Sequence, residues 1–166
     1  MEGTLSISLG VLVGCLLALS WFAGSDAPYV PTKESYIKKA LKLAKLKKGE
    51  IFYELGSGDG RVVIEAAKMG AKAFGVEQSL LRIWYSEIKA FRLGLKDAYF
   101  IHGNIFKKDI SSANVVFIYL LPKGVNKLKP KLTRELKKGS RVITQDYHFN
   151  DWKPIKKMGP FWLYIV

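Results

Sequence analysis

Hydrophobic and polar positions fall into three patterns along the chain. From Leu5 to Ala23 the sequence LSISLGVLVGCLLALSWFA runs without a charge, close to the ~20 residues that carry a helix across a bilayer core. This predicts one N-terminal transmembrane helix, with Trp21 and Phe22 at an interface. A cleaved signal peptide is the competing reading, but it expects a basic start, and MEGT offers only Glu2. No basic residue precedes the stretch, and Lys33, Lys38 and Lys39 follow it. The positive-inside rule therefore predicts a single-pass membrane protein with its folded part on the cytoplasmic side. The expected division is 1–27 as anchor and linker and 28–166 as one folded domain.

The segment DAPYVP is an extended linker, because each proline disfavours helix at the residue before it. Beyond it Ile37, Leu41 and Ala44 recur at helical spacing, with Thr32 as the expected cap and Gly49 as the stop. Strands are then predicted at 51–55, 71–76, 98–101, 115–120 and 141–145. Helices are predicted at 60–69 and 79–93, with a lysine-rich helical region broken near Pro130. Alternation of this kind predicts an α/β fold with a parallel sheet covered on both faces. The tail differs: 154–158 and 161–166 flank Gly159-Pro160 and predict a closing antiparallel hairpin.

Composition narrows the chemistry. The 166 residues are 49% apolar and 25% charged, which excludes a disordered or collagenous chain. The single cysteine, Cys15, excludes an internal disulfide framework, and with only His102 and His148 no metal centre is expected. The net charge is +13, and all 27 basic residues lie after residue 32. Of these only five are arginine. That balance is a weak pattern for bidentate phosphate or base recognition and reads first as a solvated surface, with an anionic membrane face or nucleic acid as the other readings. With no appended RNA-binding module and no aromatic base-stacking motif, nucleic acid is not the expected partner.

The sequence YELGSGDGR at 53–61 lies between a predicted strand and a predicted helix. Gly56, Gly58 and Gly60 permit a tight turn and close backbone approach to a ligand, and with Ser57 between the first two they are the expected cofactor-binding loop. The Gly-Lys-Ser/Thr ending of a phosphate-binding loop is absent, and Arg61 stands where the dinucleotide fingerprint wants a third spaced glycine. Glu54 and Asp59 would repel a pyrophosphate and suit a cation. Glu77, at the end of the next strand, is placed as an acid for ribose hydroxyls. After the third strand, Gly103 and Asn104 bring a side-chain amide where an adenine edge could be read. The ligand these features suit is S-adenosyl-L-methionine, with its ammonium and sulfonium charges. A dinucleotide-binding domain of the same architecture is the bland alternative.

The glycine loop with Glu77 resembles the class I, seven-stranded, Rossmann-like methyltransferases. PYVPT at 28–32, ELGSGDGRVVIEAAKMGAKAFGVE at 54–77, GNIF at 103–106, VVFIYLLP at 115–122 and KLKPKLTRELKKGSRVIT at 127–144 narrow the match. Together they are similar to the archaeal broad-specificity protein-lysine methyltransferases. They are similar also to membrane-anchored mitochondrial relatives acting on the ATP synthase c subunit and the adenine nucleotide carrier. The resemblance implies transfer of methyl groups to exposed lysines of proteins, membrane neighbours or the chain itself. It implies that Tyr29 and Thr32 fold over the cofactor. Glu54 stands where Asp is frequent in the family.

Strand ends border the ligand in an open parallel sheet. Tyr119 is the expected wall and hydrogen-bond partner of the reacting amine and a neighbour of the cofactor, with Asp146 and Tyr147 as further catalytic candidates. YLLP lacks the polar head with which amino-base methyltransferases hold an exocyclic amine, which argues against adenine as substrate. An RNA or small-molecule methyltransferase, and a catalytically silent binding protein of the same fold, are the alternatives.

Overall fold

The computed structural model describes residues 11–16 and 30–166. Residues 11–16 are helical (α1), with exposed side chains. Most of the expected membrane span, and Tyr29, lie outside the described residues. No helix among the described residues is long and apolar enough to cross a membrane.

The remaining elements follow in the order α2 (Glu34–Leu43), β1 (Ile51–Leu55), α3 (Arg61–Lys68), β2 (Lys72–Glu77), α4 (Leu80–Arg92) and β3 (Ala98–His102). Then come β4 (Val115–Ile118), α5 (Pro122–Glu135), β5 (Arg141–Gln145), β6 (Lys156–Met158) and β7 (Phe161–Ile165). The seven strands among the described residues form one sheet in the order β3-β2-β1-β4-β5-β7-β6. β1 to β5 are parallel, and β7 runs antiparallel to both β5 and β6.

Strand alternation builds two cores. Phe52, Val115, Phe117 and Ile143 face α2 and α3, where Ile37, Leu41, Val62, Val63 and Ala66 meet them. Their neighbours Tyr53, Leu55, Val116, Ile118 and Val142 face the other way, against Val125, Leu128 and Leu132 of α5. Because both faces are covered, β4 reads as an unbroken apolar run with every residue buried.

Three local expectations are corrected. Thr32 does not cap α2: Lys33 is its N-cap, without a side-chain bond, and the Thr32 hydroxyl donates instead to Gln145 Oε1 at 2.9 Å. Nor does Gly49 end that helix. Lys45 takes the left-handed conformation (φ 51°), the Lys45 amide donates to the Lys42 carbonyl and the Leu46 amide to the Leu41 carbonyl. These bonds make a Schellman stop with lysine where glycine is usual. The Arg141 guanidinium supports it by donating to the Ala44 and Lys45 carbonyl oxygens. Finally, α5 runs through Pro130 without a break. An internal proline costs about 3 kcal/mol, but Val125, Leu128 and Leu132 are fully buried on either side of it. At roughly 1.5–3 kcal/mol for each, that burial outweighs the lost bond.

Candidate active site

Strand order reverses at β1, which has β2 on one side and β4 on the other. This is the switch point at which an open parallel sheet leaves a crevice beyond its carboxyl ends. A cavity of about 430 Å³ occupies it. The glycine loop after β1, Glu77 and Gln78 after β2, and Tyr119 to Leu121 after β4 line it. Val30 to Thr32 pass along its wall as a strap.

Of the residues expected from sequence, Thr32, Glu54, Gly56, Ser57, Gly58, Asp59, Glu77 and Tyr119 line the cavity. Gly60, Gly103, Asn104, Asp146 and Tyr147 do not. Gly60 is the left-handed N-cap of α3 (φ 73°), and an added Cβ would meet Phe100 at 2.5 Å and Ser86 at 2.8 Å, so it serves close packing behind the loop. The Asn104 side chain is turned to its own backbone, its Oδ1 accepting from the Phe106 amide at 2.8 Å. The Gly103 amide donates to the Glu77 carbonyl. Instead of the expected amide, Ile105 and Phe106 present apolar surface to the cavity. Sequence reasoning missed both, although they stand within GNIF, and missed Arg61, Arg82, Lys123 and Lys127.

Glu77 organises the loop. Its Oε2 accepts from the Gly58 amide at 2.9 Å, and its Oε1 accepts from the Gln78 and Ser79 amides at 3.0 Å each. Gly75, two residues earlier, lets the loop close over β2, since a Cβ there would lie 2.6 Å from Ser57 Oγ.

The two loop acids differ in state. Burial pushes the Asp59 carboxyl up, but the Arg61 hydrogen bonds and charge, with Lys89 behind them, hold it below the usual carboxylate range. Arg61 Nη2 stands 2.7 Å from Asp59 Oδ2. Asp59 is therefore already neutralised, contrary to its expected role as a free acid for a cation. Among the described residues Glu54 forms no such ion pair, and Arg61 acts on it only through its charge. Burial, then the charges of Asp59 and Glu77, push its carboxyl well above the usual range, against the Val63 amide and Arg61. Glu54 Oε2 and Ser57 Oγ are buried without a hydrogen-bond partner among the described residues. A cationic ligand would supply what Glu54 lacks, so these residues fit an ammonium- and sulfonium-bearing cofactor.

Tyr119 leaves the β4 ladder and enters the cavity wall. Burial, together with the hydrogen bond and charge of Asp146, pushes its hydroxyl up to about 12. It therefore stays protonated in the physiological range. Asp146 follows β5 in the left-handed region (φ 60°), its amide held by the Pro160 carbonyl at 2.7 Å. Tyr147 is exposed. His148 packs on Trp162 with ring centroids 4.8 Å apart and bonds the Phe149 carbonyl oxygen, away from the cavity wall.

Comparison with known proteins agrees with this geometry. A protein-lysine N-methyltransferase of Saccharolobus islandicus is 42% identical over 130 residues, covering 76% of this chain and 81% of its own. A lysine N-methyltransferase of Xenopus laevis, named for the ATP synthase c subunit, is 34% identical over 158 residues, covering 89% of this chain and 70% of its own. Among solved structures, an RNA methyltransferase from Salinibacter ruber in complex with S-adenosyl-L-homocysteine superposes with a TM-score of 0.79. It is 33% identical and covers 82% of this chain and 94% of its own. The sequence model of the ANTKMT methyltransferase domain matches residues 54–156. The chain belongs to that family of S-adenosylmethionine-dependent methyltransferases.

Proposed function

We propose that the chain is a membrane-anchored protein-lysine N-methyltransferase. The observation that carries the proposal is the Tyr119–Asp146 pair beside a cavity whose acid, Glu54, is buried with one carboxylate oxygen unbonded among the described residues. Lysine-methylating relatives at 42% and 34% identity support the substrate class, and the uncharged stretch 5–23 supports the anchor.

The bound cofactor supplies an activated methyl group on a positively charged sulfur. Glu54 would face that charge, and the glycine loop would let the main chain approach the cofactor without side chains in the way. A carboxylate oxygen has about two acceptor sites. Glu77 Oε1 spends both on Gln78 and Ser79, while Oε2 keeps one beside Gly58 for a ribose hydroxyl. Ile105 and Phe106 offer flat apolar surface to the adenine ring. Asn104 and Gly103 fix the turn that presents them, and Gly60 sets the start of α3. Thr32 covers the opposite side.

A target lysine must lose its proton before it can act as a nucleophile, since its free pKa is ~10.4. Asp146 draws the ammonium towards the site, and the Tyr119 hydroxyl fixes the direction of the amine. The apolar wall of Leu120 and Leu121 favours the neutral amine by removing water. Tyr147 borders this approach. Alignment in a partly dry channel supplies most of the acceleration, with no dedicated base.

The test is incubation of the full chain in detergent with labelled methyl donor and membrane extract, followed by digestion with protease or ribonuclease. Label on lysine is the expected result, and its absence sinks the proposal. The name of the Salinibacter relative favours a second reading, RNA methylation, which predicts ribonuclease-sensitive label instead.

A further inference from the structure

We propose that the outer face of α4 lies on the surface of a lipid bilayer. A surface helix ordinarily turns charged residues to water opposite its buried stripe. α4 departs from this. Ile83, Ser86 and Ala90 face the sheet, yet Leu80 is 64% exposed, Trp84 64% and Phe91 85%. These three share one face by helical spacing, with half-buried Ile88 between them and exposed Tyr85 beside them. Glu87 and Arg92 are the exposed charges on this helix, and both flank the stripe. Contiguous apolar surface of this kind marks a contact with a partner or a membrane.

Three observations choose the bilayer. First, the chain preceding Val30 contains the uncharged stretch 5–23, so the inference rests on the anchor proposed above. Second, the first helix of the described domain starts beside α4: Glu34 and Ser35 of the α2 N-terminus share a groove with Lys89 of α4 and Leu93, its C-cap. The anchor therefore brings this helix within reach of the membrane. Third, a stable dimer needs about 800 Å² and 20–30 residues from each partner, whereas the stripe is a handful of side chains from one helix. An interfacial helix needs only such a stripe, buried ~5–10 Å into the headgroup region. Arg92 can extend to the headgroups from its edge. Leu80 is three residues from Glu77, so the contact begins next to the cofactor cavity. It would present the cavity to lysines near the bilayer surface.

The test uses the full chain in nanodiscs containing phosphatidylglycerol brominated either near the headgroup or near the chain end. Subtracting the emission of Trp84→Phe isolates the Trp84 signal. The expected result is about a twofold quenching of that signal by the shallow bromines and less by the deep ones. Leu80→Glu with Phe91→Glu should abolish the quenching while methylation of a soluble lysine peptide continues. An unquenched Trp84 overturns the inference, whether the chain stays on the disc or washes off. Sedimentation as a dimer in detergent that the double variant converts to monomer overturns it in favour of a second copy. Methylation of the soluble peptide reports separately on the enzymatic reading.

Discussion

The Arg61 guanidinium donates to the Thr32 carbonyl oxygen at 3.2 Å while its other nitrogens hold Asp59. Through this bond the glycine loop and the strap before α2 become one wall of the cavity. The Thr32 hydroxyl fastens the other end to Gln145 at the end of β5. Thr32→Val should leave the buried Gln145 amide oxygen without a partner, at a cost of about 1–3 kcal/mol. Denaturant melts check the stability. Calorimetry should show weaker binding of S-adenosylhomocysteine as the strap loosens.

Glu54→Gln should stabilise the cofactor-free protein and weaken the cofactor complex. The Glu54 carboxyl is raised in the folded state. Its contribution to stability is therefore full below its unfolded value of about 4.3 and is lost as pH rises through the raised folded value. Melting temperatures of the two proteins should diverge as pH rises, the variant melting higher. Cofactor affinity should fall about tenfold or more, because a charge-assisted contact is removed. Equal melting at every pH would show that the Glu54 carboxyl is not raised in the folded state.

Tyr119→Phe should lower kcat by about tenfold to a hundredfold through lost alignment, while S-adenosylhomocysteine binding changes little. Because the hydroxyl is pushed up to about 12, its ionisation should contribute no limb to the wild-type pH profile below about pH 10. A limb near neutrality that vanishes in Tyr119→Phe would show the tyrosine acting as a base.

Gly60→Ala should cost about 2–5 kcal/mol. Left-handed backbone costs a residue with a side chain about 1–2 kcal/mol, and the added methyl meets Phe100 and Ser86 inside contact distance, adding about 1–3 kcal/mol. Lys45→Gly acts in the opposite direction. It relieves left-handed backbone at an exposed helix end and should gain about 1 kcal/mol. Chemical denaturation reads both.

The strands and most helices were legible in the sequence because burial on two faces writes itself as unbroken apolar runs, as in Val115 to Ile118. The cavity was legible through its glycines and through Glu54 and Glu77, whose charge and spacing are local properties. What was hidden depended on distant partners. Thr32 reads as a helix cap until Gln145, 113 residues away, takes its hydroxyl. Asp59 reads as a free acid until Arg61 folds back on it. Asn104 offered its amide to a ligand on paper, but the nearby Phe106 amide claims its oxygen. Pro130 signalled a break that only the packing of Leu128 and Leu132 could overrule.

The order of the sheet also governs how the domain tolerates crowding. Its two outermost strands are β3 and β6, and an open strand can recruit another chain to extend the sheet. β6 is only three residues long and carries exposed Lys156 and Lys157, so molecules held close together repel one another there. Runaway strand-by-strand growth is blunted on that flank. The longer β3, beside α4, is the margin where unwanted sheet extension would start.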